Sequence, residues 1–184
     1  MKELFQNTVN EFINQGVNFH VHSSEEPYVL QMELRNIDVN NKEKSYSVYM
    51  IFEHETVSFW CKISNEIGKE QEGAMNRLAR DLNDKLKFFK FIPRTSLDVE
   101  MDIDASAASA KFLNKKYDHF RHFLVVIQPL IHMYESSCPG DALPTWKEFI
   151  DQEQSRIERT LLEEMEAYSE EDNPSEEDLD FMPF

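Results

Sequence analysis

The C-terminal residues of this 184-residue chain combine acidic and apolar groups in a pattern suited to binding another protein. Residues 161–184 contain ten Asp or Glu and no Lys or Arg, and the last two residues are Pro and Phe. A terminal Phe presents a ring for an apolar pocket and an α-carboxylate for a basic residue at its rim. A preceding Pro restricts the backbone, which lowers the entropy lost on docking. The pattern predicts a docking peptide with these contact residues: Glu177, Asp178, Asp180, Phe181, Pro183 and Phe184.

These last nine residues resemble the C-terminal tip of bacterial single-stranded DNA-binding proteins, in which an acidic run precedes an apolar residue and a terminal Pro-Phe. Phe181-Met182 departs from that family, which more often has acids and a single aliphatic residue there. The family's tip recruits helicases, nucleases, primase and recombination mediators. The resemblance therefore implies an accessory protein of DNA replication, repair or recombination, whose partners are DNA-maintenance proteins with a pocket for this tip. Alternatively, residues 181–184 fold back on their own domain as a hydrophobic clasp.

A second candidate for binding is the segment from Lys85 to Arg94, which has four basic residues, three aromatic residues and no acid. Aromatic rings stack on bases while Lys and Arg follow phosphates, so this mixture suits single-stranded DNA. The candidate residues are Lys85, Lys87, Phe88, Phe89, Lys90 and Arg94. Alternatively, the Phe residues alternate into the core and the lysines face water. A further basic cluster is interpreted as the solvated face of a helix: Lys111, Lys115, Lys116 and Arg121.

Histidine pairs and a row of carboxylates are the groups that could hold a metal. The pairs are His20 with His22 and His119 with His122, and neither has a third ligand at a recognisable spacing. The carboxylates alternate along one predicted strand: Asp98, Glu100, Asp102 and Asp104. Such a row could bind a divalent cation, but more often it is the charged outer face of an edge strand. With four glycines there is no phosphate loop. We predict no metal, no cofactor and no enzymatic activity.

The distribution of charge separates the tail from the rest of the chain. Of the net charge of −16, residues 161–184 contribute −10, which leaves −6 for residues 1–160. A mildly acidic body will not bind duplex DNA by general attraction, so any contact with nucleic acid must be local. Cys61 and Cys138 have no metal-binding spacing, and reduced thiols are typical of a cytoplasmic protein. The sequence has no apolar run long enough for a membrane span.

Hydrophobic periodicity divides the first part of the chain into helices and strands. Helical spacing is found over residues 3–15, from Met75 to Phe89, and from about Ser109 to Tyr134, where Pro129 should kink the helix or end its regular part. Strands are predicted at residues 17–21, Tyr28–Ile37, Tyr46–Phe52 and Thr56–Ile63. Phe88–Pro93 and Leu97–Ile103 are either a further pair of strands or one strand and its lead-in. This order predicts an α+β fold, with an antiparallel sheet of about five to six strands covered by helices.

The last part of the chain differs from this pattern. After the break at residues 136–144, Thr145 and Glu148 have the spacing of a capping box, and apolar residues follow at helical intervals up to Tyr168. The acidic run beyond has the composition of a disordered segment. We therefore expect an α+β domain at residues 1–135, an amphipathic helix at 145–168 and a disordered acidic tail at 169–184.

The body itself resembles YbjN-like domains, which are similar to type III secretion chaperones. The resemblance rests on Leu78 to Tyr134, where a polar helix leads to a strand, then to Leu-Asp-Val-Glu-Met-Asp-Ile-Asp, then to a Phe-rich helix. It implies a non-enzymatic domain of a kind that often pairs as a homodimer. It also supports an alternative function, an adaptor or chaperone that binds a protein client while the acidic tail is incidental.

Overall fold

The structure, a computed structural model, describes residues 1–37 and 43–156, and the side chains at 36, 37, 43 and 44 are not described. The helices of residues 1–145 are α1 (Lys2–Asn14), α2 (Glu72–Lys85) and α3 (Ala110–Glu135), with a short 3-10 helix at Ala105–Ala107. The strands are β1 (Phe19–Ser23), β2 (Tyr28–Ile37), β3 (Glu43–Glu53), β4 (Thr56–Lys62), β5 (Lys90–Pro93) and β6 (Leu97–Asp104). The fold is α+β, as the sequence predicts.

The strands form one antiparallel sheet in the order β1-β2-β3-β4-β6-β5. Val57 on β4 faces Phe52 on β3 and Ile103 on β6, so β4 lies in the middle of the sheet. Buried and half-exposed residues alternate along β4, as period-2 geometry requires when only one face of the sheet is covered. The predicted antiparallel sheet of five to six strands is confirmed.

The core lies between this sheet and helices α1 and α3, which pack on each other. The ring of Phe12 on α1 lies 5.6 Å from that of Tyr117 on α3. The ring centroid of Phe59 on β4 lies 5.7 Å from that of Phe120 on α3. These fully or nearly fully buried aromatic side chains join the layers by the hydrophobic effect, which contributes about 25 cal/mol per Å² of apolar surface removed from water.

Particular residues fix the ends of the helices. Gly16 follows α1 with a φ of +69°, a conformation that only Gly adopts without strain, and the chain turns there into β1. The Ser109 hydroxyl accepts a hydrogen bond of 3.3 Å from the N–H of Phe112 and caps α3. The sequence predicts that Pro129 kinks α3 or ends its regular part. The helix continues through Pro129 to Glu135, so it does not end at this proline.

A helix side chain occupies the hydrogen-bonding groups at one edge of the sheet. The Asn83 side chain of α2 donates through Nδ2 to the carbonyl oxygen of Phe91 on β5, at 2.8 Å. Its Oδ1 accepts from the N–H of the same residue, also at 2.8 Å. Both backbone groups of Phe91 that face away from β6 are therefore satisfied by a side chain.

The chain separates into two compact units, Met1–Trp146 and Lys147–Phe184. At the end of the first unit, the N–H of Trp146 donates to Asp81 Oδ2 at 2.7 Å. In the second unit residues 147–156 are helical, as the capping-box spacing predicts. Residues 157–184, which include the second half of the predicted amphipathic helix and the whole acidic tail, lie outside the described residues.

Candidate nucleic-acid interface

A turn between α2 and β5 holds two consecutive Phe residues whose rings have different environments. The N–H of Phe89 donates to the carbonyl of Leu86 at 3.1 Å and closes the turn. Phe88, at the tip, is 81% exposed. Phe89 instead stacks on Phe123 of α3, with ring centroids 4.1 Å apart and planes 14° apart. The structure thus leaves most of the Phe88 ring exposed, whereas the Phe89 ring packs on α3 and also lines the groove beside β6.

Two residues from the start of α3 complete an aromatic and basic cluster around Phe88. Lys116 Nζ lies 5.9 Å from the centroid of the Phe88 ring and 5.2 Å from that of Phe112. Phe112 and Lys116 are four residues apart, so they share one face of the helix, and the Ser109 cap fixes where that face begins. The ammonium can interact with both rings within the distance at which cation–π attraction operates.

The cluster lines a groove of about 380 Å³ beside β6. Phe89 also lines this groove, and we call its other basic and aromatic residues the Phe88 surface: Lys87, Phe88, Lys90, Phe112 and Lys116. Two of these are not among the binding residues that the sequence predicts. The sequence pattern places Phe112 on the apolar side of α3 and Lys116 on a solvated basic face. Two features of the sequence could have indicated this pair: Phe112 and Lys116 are four residues apart, and Lys115 lies next to Lys116.

Ion pairs occupy the other basic residues of the predicted segment. Lys85 pairs with Asp84 at 2.9 Å, and this hydrogen bond and charge lower the pKa of Asp84 and raise that of Lys85. Arg94 pairs with Asp98 at 3.9 Å. Neither Lys85 nor Arg94 lines the groove. Both side chains are about half exposed or more. Because neither lines the groove, they are not part of the Phe88 surface.

The groove itself has mixed charge. Lys90 pairs with Glu100 at 3.5 Å, and Lys87 lies 4.0 Å from Asp84. Asp102 also lines the groove and accepts a hydrogen bond of 2.6 Å from the Ser58 hydroxyl. Lys116 has no carboxylate within ion-pair distance among the described residues and is therefore the ammonium with the weakest competition for a phosphate. Binding at this groove must depend on stacking and a few local charges.

The row of acids on β6 serves structural contacts. Asp98 is buried and accepts from the Ser96 hydroxyl at 2.9 Å. Asp104 accepts from Ser106 through both its hydroxyl and its N–H, and these hydrogen bonds lower the pKa of Asp104. The expectation that this row marks an edge strand is wrong, because β6 lies between β4 and β5. In the part of the chain that the structure describes, no three His, Cys, Asp or Glu side chains gather as metal ligands.

The histidine pairs lie apart from the Phe88 surface. His20 and His22 are exposed on β1, where the His22 ring contacts Tyr49 edge-on at 6.0 Å. His122 makes a hydrogen bond of 2.7 Å through Nδ1 with the carbonyl of Asp118, one turn earlier on α3. Of the two free cysteines, Cys138 is exposed, whereas burial raises the pKa of the Cys61 thiol to about 12.

A second cleft, of about 560 Å³, opens between the end of α1, strands β2 and β3, and the middle of α3. Its lining includes Tyr117, whose hydroxyl pKa is raised to about 12 by burial. Asn114 Oδ1 is buried there with no hydrogen-bond partner among the described residues. The lining also includes Arg35, Asp118 and Arg121, so this cleft has no single charge preference.

The predicted docking residues at the end of the chain, Glu177 to Phe184, lie outside the described residues. No described helix combines the length and apolar composition needed to cross a membrane.

No family model matches this sequence, and comparison with curated proteins found no match.

Proposed function

We propose that this chain is a non-enzymatic, cytoplasmic accessory protein of DNA replication, repair or recombination. Its body binds single-stranded DNA at the Phe88 surface, and its C-terminal tip docks onto DNA-maintenance proteins. One observation supports the DNA contact above all. Phe88 is 81% exposed, and residues from two separate segments surround it with a second ring and three ammonium groups.

The chemistry of the Phe88 surface fits a single strand better than a duplex. An exposed ring can stack on an unpaired base but has no access to bases within a duplex. Stacking of one base on an aromatic side chain contributes about 1–3 kcal/mol. The lysines add phosphate contacts, and the adjacent carboxylates Glu100 and Asp102 oppose the general attraction that duplex binding requires.

The proposal for the tip rests on the sequence. A run of carboxylates can accelerate the encounter with a basic socket, and Phe184 supplies the ring and carboxylate that the socket holds. The cytoplasmic location rests on the two free cysteines, since secreted proteins usually form disulfides.

An adaptor that binds a protein client is the second candidate function, and the half-exposed face of the sheet favours it. Tyr49 and Trp60 lie side by side on that face, with ring centroids 5.4 Å apart, and both are half-exposed. Aromatic side chains are enriched in protein interfaces, so this pair could contribute to docking of a client.

Fluorescence anisotropy of a labelled single-stranded oligonucleotide tests the DNA-binding proposal. The full chain is titrated alongside Phe88→Ala and Ile13→Ala, which truncates another exposed apolar side chain. Loss of one stacked base should weaken binding by Phe88→Ala about 5- to 100-fold, whereas Ile13→Ala should bind as wild type does. Equal binding by all three proteins, or none by the wild type, would exclude the Phe88 surface and leave the adaptor function.

A further inference from the structure

The cleft between β2 and α3 lies where β1 stops covering β2. Strand β3 pairs with β2 over its whole length from Tyr28 to Ile37, whereas β1 pairs with β2 no further than Met32. In the described part of the chain, no strand pairs with this side of β2 beyond that residue. The chain enters β1 through the turn at Gly16, which also lines the cleft. The resulting space, about 560 Å³, is within the usual range for small-molecule sites.

Two polar side chains on the α3 wall of this cleft lack hydrogen-bond partners. Asn114 Oδ1 is buried with no partner among the described residues. Tyr117, one turn further along, is only 4% exposed, and its hydroxyl makes no hydrogen bond with a described residue. Buried polar side chains are normally hydrogen-bonded. Two unpaired ones in the lining of a single cleft therefore favour a bound molecule that supplies the partners.

Each wall of the cleft carries one acidic and one basic side chain. Asp118 and Arg121 lie on α3, where they pair with each other at 3.4 Å. Glu33 and Arg35 lie on β2 and are exposed. A simple anion in the cleft would face two carboxylates, and a simple cation would face two guanidinium groups, so both would meet like charge. A molecule that carries both charges can match both kinds of group.

The rest of the lining is apolar and poorly hydrated. Leu34 and Leu124 are buried, and Val125 is 48% exposed. Burial raises the pKa of the Tyr117 hydroxyl to about 12, which shows that water solvates this part of the lining weakly. Charges next to such a surface interact more strongly than they do in bulk water. The cleft therefore suits a compact ligand with an apolar part.

We propose that the cleft binds a small zwitterion, a free amino acid with an apolar side chain. Its carboxylate pairs with Arg121, and its ammonium group donates to Asp118 and to Asn114 Oδ1 once the amide turns toward the cleft. Its side chain packs on Leu124 and Val125. The pair with Asp118 places the Arg121 guanidinium within one turn of Asn114 along α3, so these groups can reach one small ligand.

This site goes beyond the proposed function, because it does not depend on DNA binding. Asn114 and Asp118 follow Phe112 and Lys116 by two residues, which is about 200° around the helix. The cleft and the Phe88 surface therefore lie on opposite sides of α3. A bound amino acid leaves the Phe88 surface free.

Isothermal titration calorimetry of the full chain with each of the common amino acids, up to millimolar concentration, tests this proposal. At least one amino acid with an apolar side chain should bind at a single site. Its N-acetyl derivative lacks the ammonium group and its amide lacks the carboxylate. Each should bind about 10-fold more weakly or worse, because a charge-assisted hydrogen bond is lost. No binding by any amino acid would overturn the proposal. Equal binding by the doubly blocked derivative would also overturn it and would indicate a peptide backbone as the ligand.

Variants then locate the site. Arg121→Gln and Asn114→Ala should each weaken binding of the same amino acid, by about 10-fold for the charged contact. Arg94→Gln, which removes another exposed Arg paired with an Asp but outside the cleft, should bind as the wild type does. Thermal melts without ligand establish that the variants are folded. Wild-type affinity in both cleft variants would overturn the proposal. Phe88→Ala should keep full affinity for the amino acid, so failure of the DNA proposal and failure of this one are distinguishable.

Discussion

The ammonium group of Lys116 lies 5.9 Å from the centroid of the Phe88 ring, and the same group lies 5.2 Å from the Phe112 ring. Phe88 comes from the turn after α2, whereas the other two residues come from the start of α3. The arrangement therefore depends on how α3 packs beside β5. Phe89, the next residue after Phe88, secures that packing because its ring stacks on Phe123 of α3.

Lys116→Gln should weaken binding of single-stranded DNA and make it less dependent on salt. Removal of one phosphate contact lowers the slope of log K against log salt concentration by about 0.7 for a single strand. Anisotropy titrations at several salt concentrations give this slope. Lys69→Gln, which removes an exposed charge from the loop before α2, should leave the slope unchanged. Identical slopes for wild type and Lys116→Gln would contradict a phosphate contact at Lys116.

Phe88→Ala and Phe89→Ala should separate binding from stability. Phe89 makes ring contacts with Phe91, Phe120 and Phe123, and truncation should cost about 3 kcal/mol of the free energy of unfolding. Phe88 is exposed, so its truncation should change stability by no more than about 0.5 kcal/mol. Urea unfolding of the two variants measures both effects. A large loss of stability in Phe88→Ala would show that its ring is part of the core.

Thiol reactivity should distinguish the two cysteines in the folded protein. Burial holds the pKa of Cys61 at about 12, so it remains a protonated and inaccessible thiol at pH 8. Cys138 is exposed. A chromogenic disulfide reagent at pH 8 should therefore titrate one thiol per chain in buffer and two in denaturant. Cys138→Ser should abolish the rapid reaction in buffer, and a fast second thiol in this variant would contradict the burial of Cys61.

Alkaline pH should destabilise the fold through Cys61 and Tyr117. Burial raises both pKa values to about 12, from ordinary values of 9.0 and 10.0, so the folded state favours the protonated forms. Their contribution to stability is complete below about pH 9 and decreases as the pH rises toward 12. Urea midpoints at pH 7, 9 and 11 test this, and Tyr117→Phe should lose less stability than the wild type over the same range.

Deletion of Phe184 alone should abolish capture of a bacterial helicase or nuclease that recognises the tip of single-stranded DNA-binding proteins. The deletion removes the ring and moves the α-carboxylate onto Pro183. A pull-down with immobilised full chain, with Asn173→Ala as the matched control, measures this. If capture is indifferent to Phe184, the docking proposal is wrong, whatever the outcome for the Phe88 surface.

Local signals in the sequence predict most of the elements and some of their ends. The strand predicted at Tyr28–Ile37 has the same bounds as β2. Gly16 marks the end of α1 because glycine permits the positive φ found there. The place of β6 in the sheet is not predictable in this way. Chain order brings β5 next to β6, but only packing of the whole sheet decides that the other side of β6 pairs with β4.

The candidate site is predictable only in part, for the same reason. Hydrophobic periodicity cannot decide which of two consecutive Phe residues in a turn faces outward, because neither lies in a regular element. The short distance between Lys116 and Phe88 depends on tertiary packing between segments far apart in sequence. The ion pair of Lys90 with Glu100 likewise depends on the register of β5 against β6, which places the two residues directly opposite each other.

The hydrogen bonds between Asn83 and Phe91 determine how this sheet can take part in β-augmentation. On the outer side of β5, Phe91 gives its N–H to Asn83, and Pro93 has no N–H. Phe89, just before the strand, gives its N–H to the turn. An added strand would therefore find no free donor at these three positions. A peptide that binds by strand addition would have to pair elsewhere, and the other edge of the sheet is at β1, where a register shift between Val21 and Ser23 interrupts pairing with β2.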